Sequence, residues 1–157
     1  MQQPPAKDVL LVQLGDFATA VSDLLQKTDL CWNVRPVPNE WSLIEAVCHL
    51  RDVEKEVHQP RFRTLIASDN AFLSGVDADR WVDERDHLQE DGPTALQAFL
   101  DARAETIALL KQAPVTTWVH RARHAFFGPT TLQELVHLAV KHDAEHWQQL
   151  QKLVSKD

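Results

Sequence analysis

Two histidines, His142 and His146, stand four residues apart in Lys141-His142-Asp143-Ala144-Glu145-His146-Trp147. On an α-helix, four residues advance the chain about 40° beyond one full turn, so both imidazoles leave the same face, one turn apart. That is ligand spacing for a single metal ion. Leu135, Leu138, Ala139, Leu150 and Leu153 follow the same stripe and turn the pair inward. Taken alone, such a pair is more often structural than metal-binding, by about two to one. A third ligand shifts the balance. His49, in Trp41-Ser42-Leu43-Ile44-Glu45-Ala46-Val47-Cys48-His49-Leu50, is the most suitable candidate, about 60° from the centre of its own helical stripe.

Three neutral imidazoles from two helices suit zinc, nickel or a similar divalent ion and leave a position for water or substrate. A structural zinc would ordinarily take a fourth protein ligand. Water on such an ion is acidified towards neutral pH and a thiol there is deprotonated, so hydrolysis and thiol transfer are both within reach. Glu45, Asp52, Asp143 and Glu145 are candidates for orienting the imidazoles or acting as base, against an ordinary role as solvated helix charges favoured about three to one. A zincin peptidase would need glutamate where Asp143 stands. A di-iron bundle would need Glu-x-x-His on two helices. Glu134 to His137 fits once, away from the His142 face, and Glu84 to His87 falls in a connection. Cys48 diverges from His49 by about 100° and reads as a buried structural thiol. His58, His87, His120, His124 and His137 have no spacing partner and read as surface or loop residues, with His120 and His124 as outside candidates for substrate contact.

Four helices must position these groups. Leu10, Leu14, Phe17, Val21, Leu24 and Leu25 recur at three and four after Pro4-Pro5, predicting the first. Pro36 and Pro38 with Asn33 and Asn39 break the pattern. A second helix follows from Trp41, capped by Asn39 or by a Ser42/Glu45 capping box, and should end or kink near Pro60 although Phe62, Leu65 and Ile66 suggest further turns. Residues 68 to 92 read as a long connection, pinned by Phe72 and Trp81, that lets the second and third helices run parallel. Thr94 and Gln97 suggest a capping box for the third, whose stripe includes Leu96, Phe99, Leu100, Ile107, Leu110 and the anomalous Arg103. Residues 114 to 129 form a basic, aromatic loop, read as a packed connection about twice as readily as an anion cover. Thr130 or Thr131, with Gln133 or Glu134, opens the last helix. No strand alternation is visible, so the expectation is an all-α four-helix bundle in one domain, 1–157, with a long crossover between helices 2 and 3.

With 157 residues the chain is large enough for a core without staples. Sixteen basic against twenty-three acidic residues, net −7, argue against a nucleic-acid or membrane surface and for a small-molecule substrate. Cys31 and Cys48 fit no disulfide framework, and Met1-Gln2-Gln3-Pro4-Pro5 has no leader pattern, so the expected location is the cytoplasm.

The stretch Pro38-Asn39-Glu40-Trp41-Ser42 leading to His49, and Gly128-Pro129-Thr130-Thr131-Leu132-Gln133-Glu134-Leu135 followed by His142-Asp143-Ala144-Glu145-His146, resemble the second and last helices of DinB-like four-helix proteins. The resemblance implies a divalent metal on His49, His142 and His146, a homodimer, and kinship with metal-dependent hydrolases, thiol S-transferases using a low-molecular-weight thiol, and stress-associated members without a known reaction. It leaves two expectations. One is an enzyme acting on a small electrophile, with Arg103, Arg121 or Arg123 receiving an anionic part. The other is a non-catalytic dimeric bundle with a structural, sensing or empty metal site.

Overall fold

The computed structural model describes residues 3–155; Met1 and Gln2, which open the stretch read as lacking a leader, and the last two residues lie outside it. Helix α1 spans Lys7–Leu25 and buries Leu10, Leu14, Phe17, Val21 and Leu25, the apolar positions read from the sequence. Helix α2 spans Leu43–Val53 and opens on the expected capping box. The Ser42 hydroxyl accepts from the Glu45 N–H at 3.3 Å, and a Glu45 carboxylate oxygen accepts from the Ser42 N–H at 3.0 Å. Asn39 is not the cap.

Pro60 does not end the helix. A π-helical turn over Glu54–His58 joins α2 to α3, Gln59–Ala67, with Pro60 in the first turn of that next segment, where a missing N–H costs least. Glu54, the first residue of that turn, lies four residues after Leu50 on the same stripe and faces the core, 1% exposed. Residues 68–91 form the crossover. It carries the short helix α4, Trp81–Glu84, and strand β1, Ala71–Leu73. Helix α5, Gly92–Gln112, is capped by Asp91, whose side chain accepts from the Thr94 N–H at 3.0 Å, in place of the expected Thr94/Gln97 box. Helix α6, Leu132–Ser155, begins where the Thr131 hydroxyl accepts from the Glu134 N–H at 3.1 Å.

Two apolar clusters fix the directions. At one end of the bundle, Val21 and Leu25 of α1 pack with Leu43 to Leu50 of α2, Ala95 to Phe99 of α5 and Leu150 of α6. At the other end, Leu10 and Leu14 meet Phe62 and Leu65 of α3, Leu110 of α5 and Leu132 to Ala139 of α6. The α2–α3 rod and α5 therefore run parallel, with α1 and α6 opposite to both. A crossover as long as the bundle is what this arrangement demands.

A small sheet corrects the expectation of no strands. Strand β2, Arg121–His124, pairs antiparallel with β3, Gly128–Thr131, and parallel with β1, so part of the basic loop is a hairpin that also holds the crossover. Phe72 in β1 is 60% exposed and does not pin the crossover; the neighbouring Leu73, 6% exposed, does. Gly75 shows how closely the two segments approach, since a Cβ there would meet the Phe126 ring at 2.2 Å. Among the described residues no helix is long and apolar enough to cross a membrane.

Candidate metal centre

Each imidazole of the centre is placed by a different feature of the fold. The capping box fixes the start of α2, and two turns later His49 enters the bundle, 2% exposed. His142 and His146 leave one face of α6 a turn apart. The His49 ring centre lies 5.5 Å from that of His142 and 4.9 Å from that of His146. One nitrogen from each ring falls within 4.8 Å of the other two, and the Nε2 atoms of His142 and His146 are 3.0 Å apart. Cis nitrogens around an ion held at about 2.1 Å sit about 3 Å apart, so the α6 pair already has ligand spacing.

The surroundings hold the His49 and His142 rings neutral, which is the ligand form. Burial pushes the pKa of His49 down to about 4, helped by His146, and burial with the neighbouring imidazoles pushes His142 down to about 2. Both ring nitrogens of His49 are buried without a hydrogen-bond partner. Two orphaned nitrogens on one core ring are an expensive arrangement unless something outside the protein meets one of them, and an ion between the three rings would do so. His146 Nδ1 lies 2.8 Å from the Gln149 side-chain oxygen, which places the proton on Nδ1 and leaves Nε2 facing the other rings. Trp41 covers the centre, stacked on His146 at 6.1 Å and 4.9 Å from His49.

Two cavities open on either side. The larger, about 670 Å³, lies against His142 and His146 and is walled by Trp41, Gln149 and Lys152. The smaller, about 380 Å³, lies against His49 and His142 and runs between the α2–α3 rod and α6. Asp79, on a 3₁₀ turn of the crossover, belongs to both, with a carboxylate oxygen 3.6 Å from His49 Nε2. Nothing in the sequence marks Asp79, because the crossover alone brings it there.

Three of the four acidic candidates are buried structural partners and not solvated charges. Glu45 is taken by Arg35 and Ser42; Asp52 by Arg51 and Arg85; Asp143 by Arg103. Glu145 alone is exposed, on the rim of both cavities. Arg103 is 1% exposed and forks onto Glu54 and Asp143 at 2.8 to 3.0 Å, so it is spent inside the core and unavailable to a substrate. Arg121 and Arg123 are exposed on β2.

Several histidines read as surface or loop residues are buried or half-buried. His58 lines the smaller cavity, its ring 5.8 Å from His142 and its Nε2 buried without a partner; burial pushes it down to about 4. His124 is 4% exposed and its Nδ1 accepts from the backbone N–H groups of Phe126 and Phe127. His120 Nδ1 bonds the Leu65 carbonyl at 2.7 Å. His87 is 3% exposed and, with Cys48 and Glu90, forms a second group of ligand-type atoms. There, however, Glu90 is clamped by both Arg51 nitrogens, and burial pushes the Cys48 thiol up to about 12. A protonated thiol beside a guanidinium disfavours a cation; this group ties the crossover to α2.

A sequence model described as the DinB superfamily matches residues 13–150. No curated protein matches the chain. Among solved structures, the chain is similar to YfiT from Bacillus subtilis, described as a probable metal-dependent hydrolase with an unusual four-helix bundle topology. The TM-score is 0.83 at 17% identity, over 99% of this chain and 91% of that one.

Proposed function

The chain belongs to the DinB superfamily, and on that footing we propose that it is a metal-dependent enzyme holding one divalent ion, zinc or nickel, on His49, His142 and His146. The observation that carries this reading is a buried His49 nitrogen without a hydrogen-bond partner, within 4.8 Å of two imidazoles whose Nε2 atoms are 3.0 Å apart. The description of YfiT as a probable metal-dependent hydrolase agrees with it. A bound ion of this kind supplies a Lewis acid and an acidified water or thiol at neutral pH. The chain's own groups do the rest. Gln149 fixes the His146 tautomer, Trp41 excludes water from one side, and the two cavities give a small electrophile access to the rings.

Hydrolysis and transfer of a low-molecular-weight thiol differ only in the nucleophile. Cys31 is exposed and Cys48 faces Glu90, so neither places a thiol among the three rings, and in the second case the thiol is a separate small molecule. Its expected assembly is a homodimer, checked by light scattering on the purified protein.

Untagged protein should contain one equivalent of metal by elemental analysis. His146→Ala should weaken affinity by roughly a hundredfold or more, and Gln149→Ala by roughly tenfold through loss of ring orientation. Turnover of an ester and thiol-plus-electrophile panel should vanish in His146→Ala. Equal metal content and equal rates in wild type and His146→Ala would remove the proposal. Tight metal binding without turnover on any panel member would replace it with a sensing or structural site.

A further inference from the structure

Arg61 is a half-buried guanidinium on the wall of the smaller cavity with no carboxylate partner among the described residues. The buried or half-buried arginines Arg51 and Arg103 are each forked onto carboxylates. For Arg61 the described residues supply one acceptor, the Ser74 carbonyl, which takes an Nη2 proton at 3.0 Å. Burial pushes its pKa down with no opposing charge to restore it. The remaining donors of this five-donor fork open onto the cavity, where an anion can meet them. The neighbourhood repeats the pattern. The Arg61 charge is felt by both His58 and His124, and each carries a buried Nε2 without a partner. In His124 the Nδ1 is an acceptor, so that Nε2 is an N–H donor.

Phe62, Leu135, Leu138, Ala139 and Phe127 give the cavity an apolar stretch of wall, and His49 and His142 line it as well. The geometry points to a ligand class: we propose that this cavity takes a small amphipathic monoanion, its carboxylate on Arg61 and its apolar body along α6, with the far end presented to His49 and His142. Three features set the charge at one. Asp77, Asp79 and Glu145 border the same cavity and are exposed, and they oppose a dianion such as a phosphate monoester. Lys141, also exposed on the border, offsets one of them. A carboxylate matches the planar guanidinium fork with a single charge. This assignment rests on the metal reading for what happens at the far end, but not for binding at the Arg61 end.

The test separates the two. Calorimetry on chelator-treated protein, where a carboxylate cannot bind a metal, compares 4-phenylbutanoate with its neutral isostere 4-phenylbutanol and with phenyl phosphate. Wild type should bind the carboxylate roughly tenfold more tightly than the alcohol, as for a charge-assisted pair, and more tightly than the phosphate. Arg61→Gln should remove that preference while leaving alcohol binding unchanged, which shows an intact cavity, and Arg61→Lys should restore part of it. His146→Ala should bind the carboxylate like wild type, so failure of the metal reading leaves this result untouched. Equal affinity of wild type for acid and alcohol, a carboxylate preference that survives Arg61→Gln, or binding of neither compound would overturn the proposal.

Discussion

Arg103 is the residue on which most of the centre's rigidity depends. It lies between two carboxylates, Glu54 of the π turn and Asp143 of α6, and it also donates to the Leu14 carbonyl of α1 at 3.2 Å. Three helical elements thus converge on one guanidinium, whose partner Asp143 is adjacent in sequence to His142. Isolating buried charges costs far more than the intact group contributes, so Arg103→Met should destabilise by about 3–5 kcal/mol, measured by urea unfolding. Asp143→Asn keeps an acceptor and leaves Arg103 paired with Glu54, so a loss well under half of that is expected. A similar loss in both would mean that packing volume matters here and not the charges. The sequence shows Arg103 as an anomaly on an apolar stripe, which is a fair signal for a buried cation, but its partners are invisible there. Glu54 falls on the α2 stripe four residues after Leu50, but nothing there pairs it with Arg103, and Asp143 reads as a solvated neighbour of a histidine.

At the scale of elements, what was legible is what repeats. The apolar stripes of α1, α5 and α6 and the Ser42/Glu45 box are recorded in spacings of three and four, and the structure follows them. The sheet was not legible, because three- and four-residue strands such as Arg121–His124 offer too few positions for alternation to stand out from a loop. Passage of the helix through Pro60 was legible in part, from Phe62, Leu65 and Ile66, but a π turn is a change of register, and fixed-period reading registers it as a break. His49, His142 and His146 were legible because two lie on one spacing; Asp79, His58 and Arg61 were not, since tertiary folding alone assembles them. One consequence belongs to this scale. The capping box secures the end of α2 that carries Trp41 and leads to His49, so Ser42→Ala should lower stability by about 1 kcal/mol. Backbone amides of residues 43–46 should also exchange faster with deuterated solvent than in wild type, while those of α5 stay unchanged. Uniform acceleration across the bundle would instead mark a purely global effect.

For the whole molecule, the cluster of neutral imidazoles makes stability depend on acidity in a direction that can be worked out. His49 and His58 have folded pKa values of about 4 and His142 of about 2, all depressed by burial below the ordinary value of 6.5. Between those values and 6.5 the unfolded chain binds more protons than the folded one. Stability is therefore complete above pH 6.5 and falls as the pH drops towards 4, by about 1.4 kcal/mol per pH unit for each imidazole that remains neutral. Asp143 acts in the opposite sense. Burial pushes its carboxyl up in spite of Arg103, so the folded state takes up that proton at a higher pH than the unfolded chain does and offsets part of the loss. The net prediction for chelator-treated protein is a urea midpoint that is flat from pH 8 to 7 and declines between pH 6.5 and 4.5. Added zinc should raise the midpoint at pH 7.5, because it binds only the folded arrangement of deprotonated rings. Protons compete for the same nitrogens, so the gap between zinc-supplemented and chelator-treated curves should close as the pH approaches 5. A midpoint that ignores pH in the chelated protein would mean that the three rings are not held neutral by burial, and a gap that stays constant to pH 5 would mean that zinc binds somewhere other than these imidazoles.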